Sequence, residues 1–131
     1  MIKVFKLAFT SLGTFFIYLL GGWDVALQCL LIAIVIDYLT GIAKSFVSKK
    51  LNSNKGFKGI VKKLAMLCMV AVAQIVDTLM GHTGLIRTTI IYYLVANESL
   101  SIIENLGEME IIVPKALIDK LEQLKSGDHN E

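Results

Sequence analysis

Charged side chains inside long apolar stretches are the residues of this 131-residue sequence that could do chemistry. Asp37, Asp77, Arg87 and Glu98 each lie within or at the end of such a stretch. Ionisable groups in these settings pair with one another, relay protons or line an ion path. The sequence has no CxxC, HExxH, GxGxxG or Walker-type run and only two histidines. We therefore expect no catalytic residue, no metal site and no cofactor, and a protein that is not an enzyme.

The composition indicates a membrane protein. Apolar residues make up 55% of the chain, charged residues make up 18%, and the mean hydropathy is +0.67. A soluble domain of this size could not bury so much apolar surface, so lipid must cover part of it. We predict an all-α integral membrane protein with a transmembrane domain at residues 1–106. Its predicted spans are residues 4–20, 25–47, 60–80 and 85–106.

Two of these spans are open to other interpretations, so the prediction is three to four spans. In the first, Lys6 limits the charge-free run to residues 7–20, which is shorter than the roughly 20 residues that cross a bilayer. This stretch spans if Lys6 snorkels to the headgroups, and otherwise lies in the interface or is a signal peptide. The fourth span carries several polar residues, so we expect protein rather than lipid to cover it.

The polar residues of the fourth span form a stripe. At 100° per residue, Arg87, Glu98, Ser101 and Asn105 fall in one narrow sector, with two further polar residues at its edge. A polar stripe on a membrane helix faces protein or water, which predicts self-assembly through this face. The candidate intramembrane assembly residues are Asp37, Asp77, Arg87, Asn97, Glu98, Ser101, Glu104 and Asn105.

Counting residues from the turns predicts which charges share a depth. Asp77 and Arg87 lie close to the same turn and could form an ion pair across it. Lys44 is nineteen residues into its span, as is Glu104, which predicts a second pair near the inner face.

Asp37 and Glu98 also share a level, about 18–20 Å into their helices. Two carboxylates cannot neutralise each other. One or both could be protonated, face water in an assembly, or bond to a neighbouring polar side chain. The candidate partners for such a hydrogen bond are Tyr38, Thr40 and Asn97.

Short glycine-containing connections at residues 21–24 and 81–84 predict two antiparallel transmembrane hairpins. The loop at residues 48–59 is basic and is therefore predicted to be cytoplasmic. Both termini are then cytoplasmic, whereas the N-terminus is outside or interfacial if the first stretch does not span. The lysines assigned to topology and lipid contact are Lys44, Lys49, Lys50, Lys55, Lys58, Lys62 and Lys63.

The remaining residues, 107–131, are predicted to form a short cytoplasmic amphipathic helix and a polar tail. Pro114 is a favourable helix start, and apolar residues recur at helical spacing up to about Lys125. Such a helix either rests on the membrane surface or mediates self-association. The tail from Ser126 onward is polar and is expected to be disordered.

Three runs in this order resemble one family of membrane proteins. They are DYLTGI at residues 37–42, SNKGFKGIVKK at 53–63 and NESLSIIEN at 97–105. The family is the toxin-secretion/phage-lysis holins, which includes the clostridial toxin-export holins. The resemblance extends over roughly residues 30–125, although the segment at residues 107–113 is longer than expected.

The resemblance implies a non-enzymatic protein of the bacterial cytoplasmic membrane. Holins form homo-oligomeric lesions that let an endolysin reach the cell wall or let a large toxin escape. The implied partners are further copies, membrane lipids and an endolysin that need not touch the protein, and no nucleic acid. The alternatives are a small dimeric four-helix transporter or ion channel, and a membrane subunit that docks through its basic loop.

Overall fold

A computed structural model describes residues 1–127, which form five α-helices and no strand. The first three are long and apolar enough to cross a membrane, so the prediction of an all-α membrane protein is confirmed. The helices are α1 (Ile2–Leu19), α2 (Val25–Val47), α3 (Ser53–Leu79), α4 (Leu85–Glu108) and α5 (Lys115–Ser126).

Helix α4 lies at the centre of the bundle, with α2, α3 and α5 packed around it. The small apolar core consists of Leu30, Val70, Ile91 and Leu94. Contacts at both ends show that α2 runs parallel to α4, and the short connections make α3 and α5 antiparallel to it. Although α4 is too polar to count as a span by composition, its neighbours cover it, as its polar stripe predicts.

The connection between α2 and α3 is shorter than the predicted basic loop at residues 48–59. Helix α3 begins at Ser53, where the Asn52 side chain accepts a hydrogen bond from the Asn54 N–H at 2.9 Å. Its 27 residues extend about 40 Å, which exceeds the roughly 30 Å of hydrocarbon. The polar residues that suggest a loop therefore form the first turns of α3.

The two predicted hairpins differ in the structure. Helices α3 and α4 pack against each other across the Gly81–Gly84 turn. Helix α1, in contrast, has no buried residue and leaves the bundle at Leu20. The first predicted hairpin therefore consists of a turn that connects α1 and α2 without packing the two helices against each other.

Helix α5 starts directly after Pro114, as predicted. Its half-buried residues Ile118, Leu121 and Leu124 lie on the side that packs against α4. Near its end, Lys125 Nζ lies 6.0 Å from the centre of the Tyr93 ring. The apolar face of α5 is therefore used within the chain, while the predicted tail beyond residue 127 lies outside the described residues.

Candidate functional site

A buried cluster of charged residues joins α2, α3 and α4 halfway along the bundle. Lys63 Nζ on α3 donates to Asp37 Oδ2 on α2 at 2.7 Å and to Glu98 Oε2 on α4 at 2.7 Å. The side chains are 16%, 9% and 4% exposed, respectively. Asp37 and Glu98 share a level, as predicted, and a single lysine amine between them holds three helices together.

Hydrogen bonds extend this cluster toward the C-terminal ends of α2 and α4. Asn105 Nδ2 donates to the Asp37 carbonyl, to Asp37 Oδ1 at 3.1 Å and to Thr40 Oγ1 at 3.0 Å. The Ser101 side chain is also within hydrogen-bonding reach of Asp37. Among residues 1–127, no buried side-chain nitrogen or oxygen lacks a partner. The polar stripe of α4 is thus satisfied inside one chain in this conformation.

The assignment of Lys63 to the lipid-contacting lysines is wrong. Burial of two carboxylates without a cation would cost several kcal/mol per ion, and the Lys63 amine offsets that cost for both. The sequence contains the information needed to find this contact. Because α3 runs antiparallel to its neighbours, counting residues from its turn gives the level of Lys63 along the bundle. Lys63 lies within about 6 Å of the Asp37 level, a distance that a lysine side chain can bridge.

A second polar site lies at the opposite end of the bundle, where the buried Arg87 side chain reaches the turn between α1 and α2. Its Nε donates to the Leu20 carbonyl at 2.6 Å, and its Nη2 donates to the Gly22 carbonyl at 3.1 Å. Nη1 donates to Asp24 Oδ2 at 2.6 Å. One guanidinium thus fixes the place where α1 leaves the bundle; we call these contacts the Arg87 clamp.

The predicted Asp77–Arg87 ion pair is wrong, although the two residues do touch. The Asp77 carboxylate accepts hydrogen bonds from the backbone N–H groups of Arg87 at 2.7 Å and Ile86 at 3.0 Å, and from the Thr83 hydroxyl at 3.3 Å. The residue before α4 is Gly84, which has no side chain to cap the helix. Asp77 supplies that cap from α3, which leaves the guanidinium free to bind the α1–α2 turn.

The predicted Lys44–Glu104 pair is also wrong, by one helical turn. Lys44 Nζ lies 3.5 Å from Glu108 Oε2, and the two side chains are 32% and 62% exposed. A pair this exposed contributes little to stability. Glu104 is exposed and Asn97 is half-buried, and neither joins the buried cluster.

The remaining lysines form a basic surface around the α2–α3 connection. Lys49 and Lys50 lie in the short α2–α3 connection, and all members of the set are exposed. Within residues 1–127, no three His, Cys, Asp or Glu side chains are placed to hold a metal ion. The basic surface consists of Lys49, Lys50, Lys55, Lys58 and Lys62.

Comparison with known proteins identifies the family of this chain. The model of the bacteriophage holin family matches residues 14–126. The chain belongs to the bacteriophage holin family. Its match includes α2 to α5, and therefore both the buried cluster and the Arg87 clamp, but only the last turns of α1.

Relatives of this holin-family chain occur in Clostridium, in Listeria and in a Bacillus phage. An uncharacterised 14.9 kDa protein of Clostridium perfringens is 40% identical over 95% of this chain and 96% of its own length. An uncharacterised protein of Listeria innocua is 37% identical over 98% of this chain and 93% of its own. A probable holin of Bacillus phage phi105 is 33% identical over 76% and 74%, respectively. No solved structure matches the chain.

The clamp of this holin-family chain requires glycine at position 21. Gly21 has φ +93°, and a Cβ there would overlap Arg87 Nε and Gln74 Oε1. Gly22 has a similar φ of +104° but nothing within 4 Å of a Cβ. We expect Gly22→Ala to lower the free energy of unfolding by about 1–2 kcal/mol through backbone strain, and Gly21→Ala by a further 1–3 kcal/mol. Detergent-based unfolding measures both, and equal losses would show that Gly21 is not tightly packed.

The pH dependence of the clamp follows from Asp24. The hydrogen bond from Arg87 lowers the pKa of the Asp24 carboxyl, and the Leu27 N–H acts in the same direction. A lowered folded-state pKa stabilises the fold above the unfolded value of about 3.9, and this contribution is lost as the pH falls through the folded value. Because Asp24 is 48% exposed, solvent screening keeps the effect within about 1 kcal/mol.

The measurement is the free energy of unfolding between pH 7 and pH 3 for wild type and Asp24→Asn. Asparagine still caps α2 but does not titrate in this range, so the difference between the two proteins should shrink below about pH 4. A difference that stays constant over the range would contradict the account of Asp24.

Proposed function

We propose that the chain is a holin that oligomerises in a bacterial cytoplasmic membrane and forms lesions through which a cytoplasmic endolysin escapes. The observation that carries the proposal is the family match over residues 14–126, and a relative from a Bacillus phage that is named as a probable holin supports it. The three apolar helices support residence in the bilayer. The endolysin passes through the lesion and need not touch the protein, and a large toxin is an alternative cargo.

The buried cluster is proposed as the element that changes between a resting and an assembled form. In the resting chain, Lys63 satisfies Asp37 and Glu98 at once. If α3 moves away from α2 and α4, these carboxylates, together with Ser101 and Asn105, lose their partners within the chain. Unpaired polar groups at this depth are costly, so they favour contacts with other copies or with water. Permeabilisation thus couples to opening of the bundle.

The remaining predicted assembly residues enter the proposal in different ways. Asp77 and Arg87 hold the outer end of the bundle together, and we propose that they preserve the α1–α2 and α3–α4 turns during assembly. Asn97 and Glu104 lie outside the cluster and are available to a neighbouring copy.

The proposed orientation places both termini in the cytoplasm. The exposed lysines at the α2–α3 connection support this orientation, because basic connections remain on the cytoplasmic side. The same lysines would contact anionic phospholipid headgroups. Fusion of a reporter enzyme to each end of the chain tests the orientation directly.

Inducible expression in bacteria, with and without a co-expressed endolysin that lacks its own export signal, tests the proposed function. We expect abrupt loss of membrane potential in both cultures and lysis only when the endolysin is present. Tolerated overexpression with selective ion flux or substrate resistance would instead support a small transporter or channel.

The proposed role of the cluster predicts altered timing. Asp37→Asn and Glu98→Gln each remove one charge that Lys63 balances, while they keep side-chain size. We expect each variant to shift the onset or the extent of leakage at equal protein levels. Wild-type leakage from both variants would remove the cluster from the mechanism.

A further inference from the structure

Helix α1 is the one long apolar helix among residues 1–127 that has no buried residue. None of its 18-residue window is buried, compared with 22% for α2 and 11% for α3. Its attachment is at its outer end, where the Arg87 clamp binds the carbonyls of Leu20 and Gly22. The whole circumference of α1 is therefore available to lipid, to other copies or to water.

The circumference of α1 has two chemically different sides. At 100° per residue, Lys3, Lys6, Thr10 and Thr14 fall within a sector of about 80°. We call this sector the Lys/Thr face; Ile17 continues it as an apolar residue toward the outer end. The opposite side is apolar along its length and consists of Phe5, Phe9, Leu12, Phe15, Phe16 and Leu19.

The Lys/Thr face has no partner in the described part of the chain. No ion pair or hydrogen bond there involves the Lys6 side chain, whereas Asp37, Lys63, Asp77, Arg87 and Glu98 are all bonded within the bundle. The Thr14 hydroxyl donates to the Thr10 carbonyl at 2.8 Å, and its oxygen can still accept a hydrogen bond.

In lipid, Lys6 must extend its side chain to the headgroups, because a charged amine is costly in hydrocarbon. A form that turns the Lys/Thr face to water removes this cost, while the apolar side keeps its lipid or protein contacts. The form in which the Lys/Thr face meets water therefore has the lower free energy, and its population rises once assembly makes it accessible.

From these observations we infer that the Lys/Thr face of α1 lines the water-filled interior of the lesion. The inference rests on the proposed holin function, and it adds which helix and which side of it meet water. Several copies would place their α1 helices around the lesion with Lys6, Thr10 and Thr14 inward. The family match starts at residue 14, so most of this face lies outside the matched region.

Cysteine labelling of the full-length chain tests the inference. All variants are made in a background protein that carries Cys29→Ala and Cys68→Ala, because both native thiols are exposed. Thr10→Cys and Thr14→Cys place a thiol on the Lys/Thr face, and Leu12→Cys places one on the apolar side at an intermediate depth. A membrane-impermeant thiol reagent is added to cells before and after the onset of leakage, and leakage is recorded for every variant.

We expect the thiols at positions 10 and 14 to react roughly tenfold faster or more after onset, because only the thiolate in water reacts, while the thiol at position 12 stays protected. A second pair, Lys6→Cys against Phe5→Cys, repeats the comparison if a threonine variant fails to accumulate. Leakage with all of these thiols protected, or with all of them equally reactive, would overturn the inference and leave the holin proposal standing. Absence of leakage from the background protein would overturn the proposed function, and the inference with it.

Discussion

Replacement of Lys63 by methionine is expected to lower the free energy of unfolding by about 3–5 kcal/mol, the usual cost of removing one partner from a buried ion pair. The substitution keeps the length of the side chain but removes the amine that bonds Asp37 and Glu98 at 2.7 Å each. Two carboxylates then face each other between three helices. Titration of the purified protein with a denaturing detergent measures the loss, and leakage in cells should begin earlier because the resting bundle is weakened.

The adjacent lysine provides a matched control. Lys62 is exposed and Lys62→Met removes the same charge, so its effect should stay within about 0.5 kcal/mol. The triple variant Asp37→Asn, Lys63→Met, Glu98→Gln should recover most of the loss, because it replaces the whole ionic set with neutral groups. Equal stability of Lys63→Met and Lys62→Met would show that the buried cluster does not hold the bundle together.

Arg87→Met is expected to cost about 3 kcal/mol, because it removes a nearly buried cation that bonds two backbone carbonyls and a carboxylate. The α1–α2 turn then loses its contact with α4, so limited proteolysis should cleave it faster than in wild type. Unfolding in detergent measures the energetic loss.

Chemical modification offers a second measurement on the wild-type protein. Arg87 is the only arginine in the chain, so methylglyoxal-type or other guanidinium-directed reagents should modify the protein only when the clamp opens.

Two conservative changes separate the parts of the clamp. Arg87→Lys keeps the charge but cannot reproduce the planar fork of donors, so it should recover only part of the loss. Asp24→Asn keeps an acceptor for Arg87 and a cap for α2, so its effect should be well below that of Arg87→Met. If Arg87→Met and Asp24→Asn had equal effects, the contacts to the Leu20 and Gly22 carbonyls would contribute nothing.

The sequence predicts most of the architecture because lipid simplifies the problem. Long apolar runs must be helices in a bilayer, and glycine-rich turns mark their ends. Helix α2 therefore has the predicted bounds, and α5 begins after Pro114 as predicted. The level shared by Asp37 and Glu98 follows from the helical rise alone, and the structure confirms it through Lys63.

The errors arise where several partners compete for one side chain. Residue counting placed Asp77 and Arg87 close together, but it could not show that Gly84 leaves the start of α4 without a capping side chain. The backbone takes the Asp77 carboxylate, and the guanidinium then binds Asp24. The sequence does not single out Lys63, because it belongs to a run of lysines most of which are exposed. The position of α1 also depends on tertiary contacts, and the spacing of apolar and polar residues along the sequence gives no information about those contacts.

Release of trapped solutes from lipid vesicles shows directly whether the protein forms a large lesion. Purified full-length protein is added to vesicles that contain anionic phospholipid, a small dye and a dextran as large as a folded enzyme. If the chain forms holin lesions, dye and dextran leave together, and their release depends steeply on protein density in the membrane. Flux of small ions with full retention of the dextran would contradict the holin proposal and would indicate a channel or transporter instead.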